Sequence, residues 1–282
     1  MSTIETHRNK IDGTSVEWRS APSPAGATPI LYIHGVPAGS WEWDPFLRRT
    51  GGLAPTLPGF ADSDKPDEFA YSMQGYGDFL ERFTDELGLE RFSLVVHDRG
   101  AVGLIFAQRH PERVERLVIF NCTPFTGGYR WHRLARVWRT PLLGELFWAT
   151  ATKPFFRRSI SSSKVTPGRF PDEWIDRAWA ALDRGTKRAI LRLYRSAPES
   201  ELERAGRRLG ELRSPALILW AQQDIYLPAQ FGQAYAEALD GDVTLEPVEG
   251  AGHWSWFDRP EVIDRAEAFL LERSASEGDA TT

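Results

Sequence analysis

The run Phe92-Ser93-Leu94-Val95-Val96-His97 is apolar enough for a buried strand, and it stops at Asp98-Arg99-Gly100-Ala101, where a turn leads into a helical pattern. A buried strand that turns sharply into a helix is one step of a βα unit, and such units build parallel sheets with helices on both faces. Ile30-Leu31-Tyr32-Ile33, ending at His34-Gly35, has the same form, as do Leu117-Val118-Ile119-Phe120, ending at Asn121-Cys122, and Ala216-Leu217-Ile218-Leu219-Trp220. Helical patterns lie between these runs. From Gly75 to Leu89 apolar residues recur every three to four positions, and the pattern from Gly100 to His110 is stopped by Pro111. The chain is therefore read as α/β with a mostly parallel sheet. Ligands of such sheets gather at the carboxyl ends of the strands, where His34, Asp98, Asn121 and Asp224 all fall.

Asp98 stands at the apex of the elbow, the position that carries serine in acyl-transfer enzymes. A carboxylate there suits displacement at a saturated carbon, because its covalent product is an ester that activated water can hydrolyse. The second half-reaction needs a base and a group that orients it. Both follow in chain order: Asp224 closes the run Leu219-Trp220-Ala221-Gln222-Gln223, and His253 sits in the glycine-rich loop Gly250-Ala251-Gly252-His253-Trp254. A developing oxyanion needs two backbone N–H donors. These are expected from Arg99, directly after the nucleophile, and from Val36, where Pro37 shapes the exit of the first strand.

From about Thr123 to Arg213 the strand–helix alternation breaks. Trp, Arg and Leu recur at helical spacing, punctuated by Pro141, Pro154, Pro167 and Pro171, which reads as a helical cap inserted between two strands. The expected organisation is a core from 1–123 and 214–273, a cap at 124–213, and a small, polar, disordered tail at 274–282. The cap arginines Arg130, Arg133, Arg136, Arg139, Arg157 and Arg158 form either a solvated face or an anion-attracting patch. A net charge of -5 argues against nucleic acid as a partner. No apolar run approaches a membrane span, the N-terminus lacks the apolar core of a signal peptide, and Cys122 is the single cysteine. A cytoplasmic chain, monomeric or homodimeric, is the expectation. No phosphate loop or zinc-ligand spacing occurs, so neither cofactor nor metal is expected.

The stretch His34-Gly35-Val36-Pro37-Ala38-Gly39-Ser40-Trp41-Glu42-Trp43, the loop Pro58-Gly59-Phe60-Ala61-Asp62-Ser63-Asp64-Lys65-Pro66 and the elbow Val95-Val96-His97-Asp98 followed by Gly100 resemble the haloalkane dehalogenase and epoxide hydrolase branch of the α/β-hydrolase fold. The resemblance spans about Val16 to Leu271 and implies a mostly parallel eight-stranded sheet flanked by helices, with an inserted cap. It further implies a small apolar epoxide or halogenated substrate, with water as co-substrate.

The departures from that pattern bear on substrate. Haloalkane dehalogenases hold halide with a tryptophan after the nucleophile and often with Asn or Glu after His-Gly; here Arg99 and Val36 occupy those places. Fluoroacetate dehalogenases resemble the chain in Asp-Arg-Gly, but their second Arg is replaced by Val102, and their acid position corresponds to Asn121. Epoxide hydrolases donate a hydrogen bond to the opening ring from cap tyrosines. Leu193-Tyr194-Arg195 resembles one such segment, making Tyr194 the candidate acid, or else a tyrosine packed on the core. His34 and Pro37 from the first strand exit, with Tyr129 and Trp148 from the cap, are expected to line the substrate pocket. Arg99 remains open between lowering the basicity of Asp98, gripping an anionic substrate and pairing with an acid elsewhere. The ordering is epoxide hydrolase first, haloalkane or haloacid dehalogenase second, and a ligand-binding protein without turnover third.

Overall fold

The computed structural model describes residues 2–165 and 170–272. Pro167 and the tail from Ser274 to Thr282, expected to be disordered, lie outside the described residues. Eight strands form one sheet: β1 (Glu5–Ile11), β2 (Thr14–Ala21), β3 (Ile30–Ile33), β4 (Gly52–Pro55), β5 (Phe92–Asp98), β6 (Val114–Cys122), β7 (Ala216–Ala221) and β8 (Val243–Val248). Their order is β1-β2-β4-β3-β5-β6-β7-β8. β1 and β2 pair antiparallel, as do β2 and β4, and the rest of the sheet is parallel. Strands β3, β5 and β7 are buried at every position and β6 at all but Glu115, which is why they read as continuous apolar runs. The first hairpin turns on Asp12 (φ 47°) and Gly13 (φ 78°), an Asp-Gly pair suited to a two-residue turn.

The body carries helices α1 (Asp44–Thr50), α2 (Met73–Glu86) and α3 (Gly103–Arg109). Helix α2 opens ahead of Gly75 because the Ser72 hydroxyl caps it, accepting from the Gly75 N–H at 3.1 Å. Between β6 and β7 lie α4 (Arg133–Arg139), α5 (Leu143–Thr150), α6 (Lys153–Ser161), α7 (Asp172–Ala181), α8 (Arg184–Arg195) and α9 (Glu199–Ala205). Helix α8 packs on α4 and α5, and its Arg192 donates to the Asp67 carbonyl of the body at 2.7 Å. The chain closes with α10 (Gln230–Ala238), α11 (Ser255–Asp258) and α12 (Glu261–Leu271). No helix among the described residues is long and apolar enough to cross a membrane.

The pattern from Gly100 to His110 divides in two. A short 3-10 turn, Arg99–Val102, precedes α3, because the chain must reverse tightly at the end of β5. Gly100 makes that reversal possible: a Cβ there would sit 2.2 Å from the Ile33 carbonyl oxygen of β3. A side chain would therefore push β3 from β5, and cores respond to such overpacking with costs of roughly 1–3 kcal/mol or more. Gly100→Ala is expected to lower unfolding stability by at least that much, measured as a fall in the urea midpoint at unchanged slope.

Candidate active site

The apex residue Asp98 has φ 49° and ψ −119°. For a non-glycine residue this is a strained conformation, sustained only where the surroundings hold it. Here β5 is locked between β3 and β6, the Asp98 carbonyl accepts from the Thr123 N–H at 2.9 Å, and carboxylate Oδ2 accepts from the Val36 N–H at 2.8 Å. Gly35 allows this approach, since a Cβ there would lie 2.7 Å from the Asp98 Cβ. Oδ2 is thus held by a backbone N–H at the exit of β3. Oδ1 faces the Nε2 of His253 at 3.9 Å, too far for a hydrogen bond.

His253 is buried, and its Nδ1 donates to Asp224 Oδ2 at 2.7 Å. Asp224 is itself fixed: Oδ1 accepts the N–H groups of Tyr226 (2.7 Å) and Leu227 (3.1 Å), and Oδ2 also accepts from the Asn121 amide at 2.9 Å. Asn121 in turn accepts from the Ala221 N–H at 2.7 Å, so the two strand ends are tied. With Nδ1 protonated against Asp224, the neutral ring presents a bare Nε2 toward Asp98. Burial pulls the His253 pKa down, but Asp224 and then Asp98 outweigh it and raise it above the usual histidine value.

A third carboxylate lies beneath. Glu42, fully buried, accepts from the Gly35 N–H at 2.9 Å and from the Trp254 indole at 2.7 Å, and it lies 3.4 Å from His97 Nδ1. His97 Nε2 donates to the His253 carbonyl at 3.0 Å. One side chain thereby ties the strand exit before Val36, the elbow before Asp98 and the loop of His253. Its only trace in the sequence is an acid flanked by Trp41 and Trp43.

A cavity opens above Asp98 and His253, and Pro37, Tyr129, Trp148 and Tyr194 lie on its wall, as does Val36. His34 does not, contrary to expectation. Its Nε2 accepts from the Leu57 N–H at 3.0 Å and Nδ1 donates to the Gly35 carbonyl at 2.8 Å, so both nitrogens serve the backbone. Burial lowers its pKa and keeps it neutral. Arg99 is not on the wall either. Its guanidinium is buried behind the aromatic residues, which removes it as a grip for a carboxylate substrate.

The structure adds wall residues the sequence did not single out, chiefly Trp138, His132 and Tyr226. Tyr226 stands edge-on 5.1 Å from the His253 ring. Its signal was its place two residues after Asp224. Among the described residues no cluster of His, Cys, Asp and Glu could hold a metal ion.

Glu42 generates a test of the buried layer. Burial pushes its pKa up, but the His97 ring and the N–H donors outweigh this and hold it below the usual value. A depressed folded pKa stabilises above the unfolded value and loses that contribution as pH falls through the folded one. Glu42→Gln is expected to cost about 1–3 kcal/mol near neutrality. Urea unfolding of both proteins across pH should show the difference shrink as pH falls below about 4.5.

A model of the alpha/beta hydrolase family matches residues 30–266. The cis-3-alkyl-4-alkyloxetan-2-one decarboxylase of Xanthomonas campestris pv. campestris is 28% identical over 279 residues, covering 89% of this chain and 90% of its own. The solved structure of epoxide hydrolase CorEH aligns with a TM-score of 0.81 at 22% identity, over 95% of this chain and 99% of that one. Haloalkane dehalogenase DbeA from Bradyrhizobium elkani aligns at 0.80 and 23% identity, over 95% and 98%. At these identities the two structures speak for the fold alone. With the eight-stranded order described above and a family match spanning residues 30–266, the chain belongs to the alpha/beta hydrolase family.

Proposed function

We propose that the protein is a hydrolase that opens epoxides to vicinal diols through an ester on Asp98, with residues 124–213 acting as the cap that closes the pocket. The observation that carries this is the unequal treatment of the two carboxylate oxygens. Oδ2 is held by the Val36 N–H, while Oδ1 is left toward the cavity and the bare Nε2 of His253. Oδ1 attacks a ring carbon from behind, and the carbon–oxygen bond breaks toward the ring oxygen. Tyr194 and Tyr129, both on the wall, are the residues this reading assigns as donors to that oxygen. Burial, then the Asp98 charge, raises both phenol pKa values, so they remain protonated donors near neutral pH. His253 next takes a proton from water, hydroxide adds to the Asp98 carboxyl carbon, and the oxyanion forms on Oδ2 against the Val36 N–H, with the Arg99 N–H as the second donor of the motif. Collapse releases the diol.

A second reading, removal of halide, has one observation behind it. The indole N–H groups of Trp138 and Trp148, on the cavity wall, have no hydrogen-bond partner among the described residues. The similarity to a relative acting on an oxetan-2-one makes that strained ring a third arm of the test.

Replacing the base stalls the second step. His253→Gln, incubated with an alkyl epoxide, a bromoalkane and an alkyl oxetan-2-one in turn, is expected to gain the whole epoxide mass on Asp98 by intact-protein mass spectrometry. An adduct from the bromoalkane alone, lacking bromine, would make dehalogenation the function. Binding without any adduct, unaffected by Asp98→Asn, would indicate a ligand-binding role. Tyr194→Phe should slow epoxide alkylation by about 10²-fold, since positioned acids contribute on the order of 10²–10⁴.

The raised pKa of His253 sets a pH dependence. Only the neutral ring accepts a proton from water, so ester hydrolysis must fall as the ring protonates. Because the Asp98 charge that helps raise His253 is lost in the ester, the acidic limb of single-turnover hydrolysis is expected at lower pH than the titration of His253 in the free protein followed by NMR.

A further inference from the structure

The elbow carries a charge that the mechanism above does not use. Arg99 is 1% exposed, and none of the described residues forms an ion pair with it. Its Nη2 reaches only the Met73 sulfur at 3.8 Å, and Nε and Nη1 have no hydrogen-bond partner among the described residues. Buried guanidinium groups are normally paired or fully hydrogen-bonded. What Arg99 has instead is aromatic faces. Its Cζ lies 5.1 Å from the Tyr194 ring centroid and 5.2 Å from that of Trp131, within cation–π range of both.

That stack is anchored. The Trp131 indole donates to the Ala197 carbonyl at 2.9 Å, and the Arg139 guanidinium lies 5.5 Å from the Trp131 ring. Arg139 donates to the Tyr194 carbonyl at 2.7 Å and to that of Ala197. Tyr194, on the cavity wall, is therefore backed by one cation and tethered at its backbone by another. Met73 and Trp131 leave Arg99 in apolar surroundings, where a charge acts more strongly than in water.

We propose that Arg99 is a positioning residue for ring opening: its guanidinium, stacked on Tyr194, holds the phenol at the cavity and favours the departure of its proton. The inference rests on the epoxide reading above. In the step concerned, the Asp98 Oδ1–carbon bond forms and the ring carbon–oxygen bond breaks, with its electron pair passing to the ring oxygen. That oxygen takes the Tyr194 proton, leaving a tyrosinate opposite Arg99. Hydrolysis restores the balance. His253 returns the proton it took from water to the departing alkoxide, and the proton on the regenerated Asp98 carboxyl passes to Tyr194. A positive charge behind the phenol stabilises the tyrosinate between these events. The charged and titratable groups facing Tyr194 are Asp98, Arg99, Tyr129 and Tyr226; Asp98, Tyr129 and Tyr226 oppose its ionisation, and Arg99, the cation on its ring face, favours it.

A halide leaves without a proton, so the two substrate classes separate the roles. In the His253→Gln background, Arg99→Met is expected to slow ester formation from an alkyl epoxide by about ten- to hundred-fold, part of what a positioned acid supplies. Reaction with a bromoalkane should change by less than about three-fold on the same grounds. The thermal midpoint should hold or rise, because an unpaired buried charge has been replaced by an apolar side chain of similar length. Arg99→Lys, which keeps the charge without the planar stack, should recover part of the epoxide rate. Equal loss with both substrates together with a lowered midpoint would mark Arg99 as structural and overturn the inference.

A substrate-free readout keeps the two proposals apart. With ring-fluorinated tyrosine at position 194, made more acidic so that its ionisation is measurable, fluorine NMR should show the phenol titrating at higher pH in Arg99→Met than with Arg99 in place. An unchanged titration would overturn the inference even if epoxides react. A protein that forms no epoxide ester but shows the shift would instead refute the epoxide reading while leaving the coupling of Arg99 to Tyr194 intact.

Discussion

The carboxyl edge of the sheet is organised by one backbone constraint, the positive φ of Asp98. An aspartate does not rest at φ 49° unless its neighbours forbid the alternatives. Three of them do so. Gly100 lets the chain pass within van der Waals contact of β3, the Thr123 N–H holds the Asp98 carbonyl, and the Val36 N–H holds its carboxylate. The turn lifts the carboxylate off the end of β5 into the space under the helices between β6 and β7. A relaxed aspartate would continue the strand and lie along the sheet, away from His253.

Three buried carboxylates stand within this edge, and their hydrogen bonding separates their roles. Asp224 accepts from two backbone N–H groups, an amide and the His253 ring, so its capacity is spent on holding that ring. Glu42 is occupied by a backbone N–H and an indole, with His97 beside it. Asp98 accepts a single hydrogen bond among the described residues, on Oδ2. A saturated carboxylate is stabilised and a poor nucleophile; one with an uncommitted oxygen facing a cavity is the reverse. Burial raises the stakes for all three, since an unsatisfied charge in a low dielectric is costly. In the proposed reaction the uncommitted oxygen is the one that attacks, and the other two groups are satisfied around it.

The central sheet was legible because β3, β5, β6 and β7 are covered on both faces and consist of apolar runs. β1, β4 and β8 were not. β1 and β8 lie at the sheet edges, are only partly buried and carry charges, and β4 is the short Gly-Leu-Ala-Pro with no continuous apolar run, so none rises above the pattern of a loop. Asp98, Asp224 and His253 were readable because each sits at a strand end or on a glycine loop, and they meet as the spacing suggested. Asn121, weighed as the place where related proteins hold their acid, instead braces Asp224. His34 misled because a histidine at a strand exit has the same signature whether it faces a ligand or serves the backbone; only the Leu57 N–H on its Nε2 separates the two. Glu42 and Tyr226 needed three dimensions, since what they touch comes from distant segments.

Arg99, the residue after Asp98, shows how side-chain length can change what a position does. The dehalogenases that the chain resembles place a tryptophan there, whose N–H is close enough to the backbone to meet a halide beside the carboxylate. An arginine begun from the same Cα carries its donors farther, and in this fold they end under Tyr194 and Trp131. The position therefore does not lose a leaving-group donor and gain nothing. In place of a neutral N–H donor in front of the carboxylate, the arginine puts a positive charge behind a phenol, the proton donor of the proposed reaction. On the proposed reading, that exchange disfavours a leaving group that departs as a naked anion and favours one that must be protonated. It links the missing halide grip and the tyrosine on the wall to a single substitution at the turn.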